Sequence, residues 1–97
     1  MTRREAGTKW QGTCEEQAYK ADTAPWGGYD SDAAVRLMQG KEDVSTTHLS
    51  GAVSEAGGII TTPLVIGLGA GIKYALHIEW KHDGNSYCAY CYIIGEE

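Results

Sequence analysis

The sequence predicts an all-β protein, a sandwich of antiparallel sheets. Three observations carry this reading. Asp83-Gly84 lies between two runs of alternating apolar and polar residues, the strongest short-range signal of a hairpin. Thirteen glycines, six Tyr, three Trp and no Phe describe a turn-rich chain whose aromatic residues suit strands. The apolar run "GGIITTPLVIG" is interrupted by Pro63. Proline cannot donate to a ladder, so the chain there lies at an edge or a bulge.

In chain order, residues 1–13 are polar around Trp10 and read as a flexible N-terminal arm, and 14–97 as a single sandwich domain. A chain of 97 residues buries only roughly 60–65% of its unfolded surface, which leaves no core for a second domain. Residues 14–24 are weakly helical. "PWGGYDSD" (25–32) is a loop by its Pro, paired Gly and Asp content. "AAVRLMQGKED" (33–43) has Ser31 to cap a helix and Gly40 to stop it, which gives one short helix near 31–40. The same residues also read as a strand with Val35 and Leu37 on one face, and period alone does not arbitrate so short a run. From Val44 onward, "VSTTHLSGAVSE", "GGIITTPLVIG", "IKYALHIEWK" and "SYCAYCYIIG" read as strands.

A two-residue turn at Asp83-Gly84 fixes the last hairpin's register: His82 opposite Asn85, Lys81 opposite Ser86, Trp80 opposite Tyr87. One face then collects Tyr74, Leu76, Ile78 and Trp80 with Tyr87, Ala89, Cys91 and Ile93, and is a core. The other collects Ala75, His77, Glu79 and Lys81 with Ser86, Cys88, Tyr90 and Tyr92. Tyrosine is enriched at protein interfaces, so Tyr90, Tyr92 and His77, with Trp10 from the arm, are the candidate contact residues; the same face also reads as a plain solvated sheet surface. The same register bears on "CAYC". Residues three apart on a strand point to opposite faces, so Cys88 is expected outside and Cys91 inside, a poor start for a zinc or redox site.

"GLGAGIKY" resembles the start of a dinucleotide-binding fingerprint, but the sixth position is Ile72 counted from Gly67 and Tyr74 counted from Gly69. The residues that follow alternate like a strand, so no helix N-terminus awaits a phosphate. A leucine, a glycine turn and a tyrosine opening a strand instead make a tyrosine corner: Leu68 packs, Gly69 and Gly71 turn, and the Tyr74 hydroxyl bonds backbone upstream. This end of the chain resembles immunoglobulin and fibronectin type III domains, which implies an immunoglobulin-like antiparallel sandwich.

Three stretches, "LMQGKEDVSTTHLSG" (37–51), "GGIITTPLVIGLGAGIKY" (57–74) and "ALHIEWKHDGNSYCAYCYIIG" (75–95), are also similar to small immunoglobulin-like structural proteins of tailed bacteriophages, of the tail-adaptor or decoration type. That resemblance covers more than half of the chain and rests on turn chemistry and alternation. It implies a non-enzymatic virion component, assembled in a host cytoplasm, whose partners are other virion proteins and its own copies in an oligomer.

Charge and motifs narrow the alternatives. A net charge of -5 argues against nucleic acid, which demands a cationic footprint. The most apolar window, "GGIITTPLVIGLGAGI", is too short and too interrupted to cross a bilayer. "MTRREAG" leads into no apolar run, so a soluble protein without a secretory signal is expected. Three cysteines, an odd number, suggest no disulfide framework. His48, His77 and His82 have no nucleophile elbow beside them, and Asp30 and Asp32 lack the rest of a calcium loop. No enzyme, cofactor, metal or small-molecule substrate is therefore expected. A small acidic inhibitor or immunity-type module is the alternative function, and a zinc domain built on Cys88, Cys91 and a histidine the weaker one.

Overall fold

Alternation in the last third of the chain builds two long neighbouring strands. In a computed structural model, which describes residues 2–96 and side chains from Thr8 onward, β9 (Lys73–His82) and β10 (Asn85–Glu96) form a hairpin with His82 opposite Asn85 and Trp80 opposite Tyr87, the register expected from the Asp-Gly turn. Asp83 and Gly84 both have positive φ, 52° and 77°, the geometry a two-residue turn needs to match strand twist.

Around this hairpin lies a five-stranded sheet in the order β1-β10-β9-β3-β4, with β1 at Thr2–Gly12, β3 at Ser31–Gln39 and β4 at Glu42–Asp43. The segment that sequence left between helix and strand is thus a strand. Leu37 is fully buried and Val35 packs against the core, because pairing to β9 sets one face of the run inward. A register irregularity between Ser31 and Ala34 coincides with a positive φ at Asp32, 61°.

The N-terminal segment, expected as a flexible arm, is β1, and its pairing with β10 is parallel, so the sheet is mixed rather than purely antiparallel. Its register shifts between Glu5 and Thr8. β1 makes β10 an interior strand. Cys88 then stands between Glu79 of β9 and Arg3 of β1, on the outer face that alternation assigns it, but is buried there.

The opposing layer is made of short strands. β2 (Lys20–Asp22), β7 (Ile59–Thr61) and β6 (Ser54–Ala56) form one sheet in the order β2-β7-β6. β5 (Leu49–Ser50) pairs with β8 (Leu64–Val65), and Gln17 bridges to Val65. Pro63 separates β7 from β8, where the chain changes partners. Residues 14–24, read as weakly helical, supply β2 and a 3-10 turn at Ala24–Trp26 with Pro25 in its first turn. Residues 45–48, read as strand, make a single helical turn, α1 (Ser45–His48). Local bonds explain it: Asp43 Oδ1 accepts from Ser45 N–H at 2.9 Å, and Ser45 Oγ accepts from Leu37 N–H at 2.9 Å.

The core lies between the layers in two parts. One gathers Leu37, Val65, Leu68, Tyr74, Leu76 and Ile93; the other gathers Ile60, Ile78, Trp80 and Ala89. Trp80 stacks on Tyr87 and meets the edge of Trp26 at 5.4 Å, while its indole N–H, among the described residues, is buried without a hydrogen-bond partner.

A candidate interaction surface on the five-stranded sheet

Residues that alternate with the core positions of β9 and β10 form the outer face of the large sheet. Pairing lays them out in rows: Tyr90, His77 and Arg36 in one, Thr8, Tyr92, Ala75 and Met38 in the next, Trp10, Ile94 and Lys73 in a third. Rings meet within and between these rows. His77 stacks on Tyr90 at 6.0 Å between centroids, and Tyr90 meets Tyr92 edge-on at 5.5 Å. Lys73 Nζ lies 3.9 Å from the centre of the Tyr92 ring, a cation–π contact that holds the phenol in place. Trp10 stands at one side, 60% exposed, although Trp is among the most heavily buried residues on average. A shallow hollow of about 290 Å³ opens between Gly40, Lys73, His77 and Tyr92.

The charges on this face are mostly matched. Arg36 and Glu79 pair at 2.6 Å, and Lys81 reaches Asp32 at 3.5 Å. Such exposed pairs contribute little stability but orient a surface toward a partner of complementary charge. The surface therefore offers aromatic area with polar tips and few mobile charges, which is the composition of contact patches.

The four residues singled out as contacts from sequence, Trp10, His77, Tyr90 and Tyr92, lie on this one face. Sequence missed their company, Lys73, Ile94, Met38 and Arg36. Lys73 was legible, since it alternates with Tyr74. Trp10 and Met38 join the patch only through the pairing of β1 and β3, which no local pattern announces.

The residues assigned to the corner and the turn lie elsewhere. Leu68 and Tyr74 are buried, and the Tyr74 hydroxyl accepts a hydrogen bond from Gly69 N–H at 2.9 Å. Gly71 has φ 74° and donates its N–H to Gly95 O at 2.8 Å. Gly95, which sequence did not single out, returns its own N–H to Ile72 O at 3.0 Å. A Cβ at Gly95 would overlap Gly69 O, so the main chains of the corner and of β10 touch directly.

The histidines outside the patch are engaged in structure. His48 Nδ1 lies 3.0 Å from Ile66 O with its ring edge-on to Tyr74, and His82 Nδ1–H donates to Asp30 Oδ1 at 3.0 Å. Asp30 also accepts from Asp83 N–H at 2.7 Å, and this bond, then the one from His82, holds its carboxyl below the usual aspartate range. Burial pushes the Cys91 thiol up, opposed by the ammonium of Lys9. Among the described residues, no group of three or more His, Cys, Asp or Glu is placed to hold a metal ion. No helix among them is long and apolar enough to cross a membrane.

No protein-family model matches the chain, and no curated protein matches it. Solved structures do. The M1 domain from titin superposes with a TM-score of 0.53 at 10% identity, over 97% of this chain and 90% of that one. An I-band fragment from titin gives a TM-score of 0.53 at 7% identity, over 93% of this chain and 30% of that longer one. At such identities the likeness speaks for architecture alone. With the corner, the hairpin and the two facing layers, it makes the chain an immunoglobulin-like β-sandwich.

Proposed function

We propose that this protein is a non-enzymatic building block that works through protein–protein contacts made by the outer face of its five-stranded sheet. The observation that carries the proposal is the joining of exposed Trp10 to Tyr92, Tyr90 and His77 on one continuous face. Trp and Tyr dominate binding energy where they can be covered, because they bring large area at little loss of side-chain freedom. The similarity of residues 37–51 and 57–95 to tailed-phage adaptor and decoration proteins supports a place in a virion, with other virion proteins and further copies of this chain as partners. In a symmetric assembly each copy repeats the same modest contact, this face meeting a second surface of the next copy, and the repeated contacts add up to a stable ring.

The test is sedimentation of lysate from the native source, with immunodetection of this chain. Co-migration with megadalton particles is the expected result, lost in the Trp10→Ala/Tyr92→Ala double variant while its folded spectrum persists. A chain that stays free, or in a one-to-one complex with a single soluble protein, removes the virion reading. The net charge of -5 favours a second reading in that event, an acidic module that masks a basic surface on one target.

A further inference from the structure

The inner side of the sandwich is not fully filled. A cavity of about 400 Å³ opens between β9–β10 and the β2 region. Ile78, Ala89 and Cys91 form its floor, and Tyr19, Pro25 and Trp26 its wall. On this wall the Tyr19 hydroxyl is already engaged, donating to Gln11 Oε1 at 2.7 Å. The interior therefore presents hydrocarbon, ring faces and a thiol. Ala89, opposite Ile78 in the ladder, contributes only a methyl to this lining, and a larger side chain there would take up part of the space.

The rim is different. Lys9 and Lys20 border the cavity, and among the described residues neither is ion-paired. Asp22 is the one acid on the rim among those residues, and its Oδ1 is turned to the chain, accepting from Ala24 N–H at 2.9 Å. Lys9 stands beside Ile93 in the ladder, and with Cys91 it lines the cavity. An apolar chamber with two ammonium groups at its mouth, neither ion-paired among the described residues, has a definite complement.

We propose that this cavity binds one small amphiphilic anion, an apolar aromatic or medium-chain body seated on Ile78, Ala89 and Cys91 with its carboxylate or sulfonate between Lys9 and Lys20. The volume agrees. Ligand cavities span about 300–1,000 Å³, and an apolar void of about 150 Å³ already holds a benzene. An apolar cavity of this size gains more from a hydrocarbon occupant than from water, which would find few partners on its lining. Its lining shares Tyr90 with the outer-face patch but includes neither Trp10 nor Tyr92, and it departs from the sequence-based expectation that no small molecule is bound.

The probe is 1-anilinonaphthalene-8-sulfonate, titrated into the folded protein while its emission is followed. Saturable, blue-shifted emission with one site per chain is expected. Decanoate displaces the probe, and decyltrimethylammonium, with the same tail and the opposite charge, does so about tenfold less well or worse. Ala89→Leu, which fills the floor, abolishes binding. The surface double variant Lys9→Glu/Lys20→Glu leaves the core untouched and weakens the probe about tenfold or more. Absence of saturable emission overturns the site. Emission unchanged in both variants, or lost on Trp10→Ala/Tyr92→Ala instead, moves binding to the outer face and overturns it too. Equal displacement by the cation, or indifference to the lysine reversals, overturns the anionic head.

Discussion

The main-chain N–H of Gly69 donates to the hydroxyl oxygen of Tyr74 over 2.9 Å, so a side chain from the start of β9 holds the turn that precedes it. Tyr74 is only 2% exposed, and water cannot replace the bond at its phenol end. Tyr74→Phe keeps the ring and leaves the Gly69 N–H without its acceptor. A loss of about 1–2 kcal/mol in urea unfolding is expected, with an unchanged m-value. A variant as stable as the parent would show that the bond does not hold the turn.

Gly95 and Gly71 offer a contrast between space and conformation. A methyl at Gly95 meets Gly69 O and C, which are backbone and cannot swing away. A methyl at Gly71 meets nothing within 4 Å, but the residue has φ 74°. Gly95→Ala is therefore expected to destabilise by about 2–4 kcal/mol and Gly71→Ala by about 1–2 kcal/mol. Thermal unfolding of the pair, read side by side, checks the order. The reverse order contradicts the close approach of the corner to β10.

Gln11 is the fully buried polar residue that fastens β1 to the rest of the molecule. Its Nε2 donates to Val65 O at 2.7 Å and to Glu15 O at 3.0 Å, and its Oε1 accepts from the Tyr19 hydroxyl. Gln11→Leu leaves Val65 O and the Tyr19 hydroxyl without these partners, at a cost of about 2 kcal/mol or more. Tyr19→Phe on that background is expected to cost less than it does alone, since the hydroxyl has already lost its acceptor. A double-mutant cycle measures the difference, and additive effects would contradict the coupling.

Asp30 ties the 25–32 loop to the hairpin tip. Its carboxyl is held below the ordinary aspartate value of about 3.9 by the Asp83 N–H and then by His82. A group depressed in the folded state stabilises it above its unfolded pKa and loses that contribution as pH falls through the lowered value. Asp30→Asn is expected to be less stable than the parent at neutral pH and to converge with it in strong acid. Unfolding midpoints measured across the acid limb check this; a constant gap would deny the linkage.

Local patterns carried much of this fold. The last hairpin was legible to the residue because Asp83-Gly84 and strict alternation fix both turn and faces, and the face of Tyr90, Tyr92 and His77 came with it. Residues 33–39 were not decidable, since Val35 and Leu37 fit a strand while Arg36, Leu37, Met38 and Gln39 are all good helix formers. Pairing with β9 settled the matter from outside. α1 was hidden because β-branched Thr46 and Thr47 favour a strand, while the bonds of Asp43 and Ser45 side chains to backbone favour a turn. β1 was hidden for a topological reason: its partner is the last strand of the chain, and nothing in "TRREAGTKWQG" names that partner. The apolar cavity was invisible as well, because it depends on what Ala89 faces across the layers.

The parallel course of β1 and β10 has a mechanical meaning. Thr2 stands beside Tyr87 and Gly12 beside Glu96, so β1 starts and β10 finishes at opposite poles of a body 41 Å long. Tension between Thr2 and Glu96 would drag the two strands past each other in shear. The evenly spaced, slanted bonds of a parallel ladder would then bear the load together instead of parting one at a time. Resistance to such a pull is set by the rate of rupture rather than by equilibrium stability. A block strung or wedged along this axis would thus be stiffest in the direction in which neighbours on its ends would strain it.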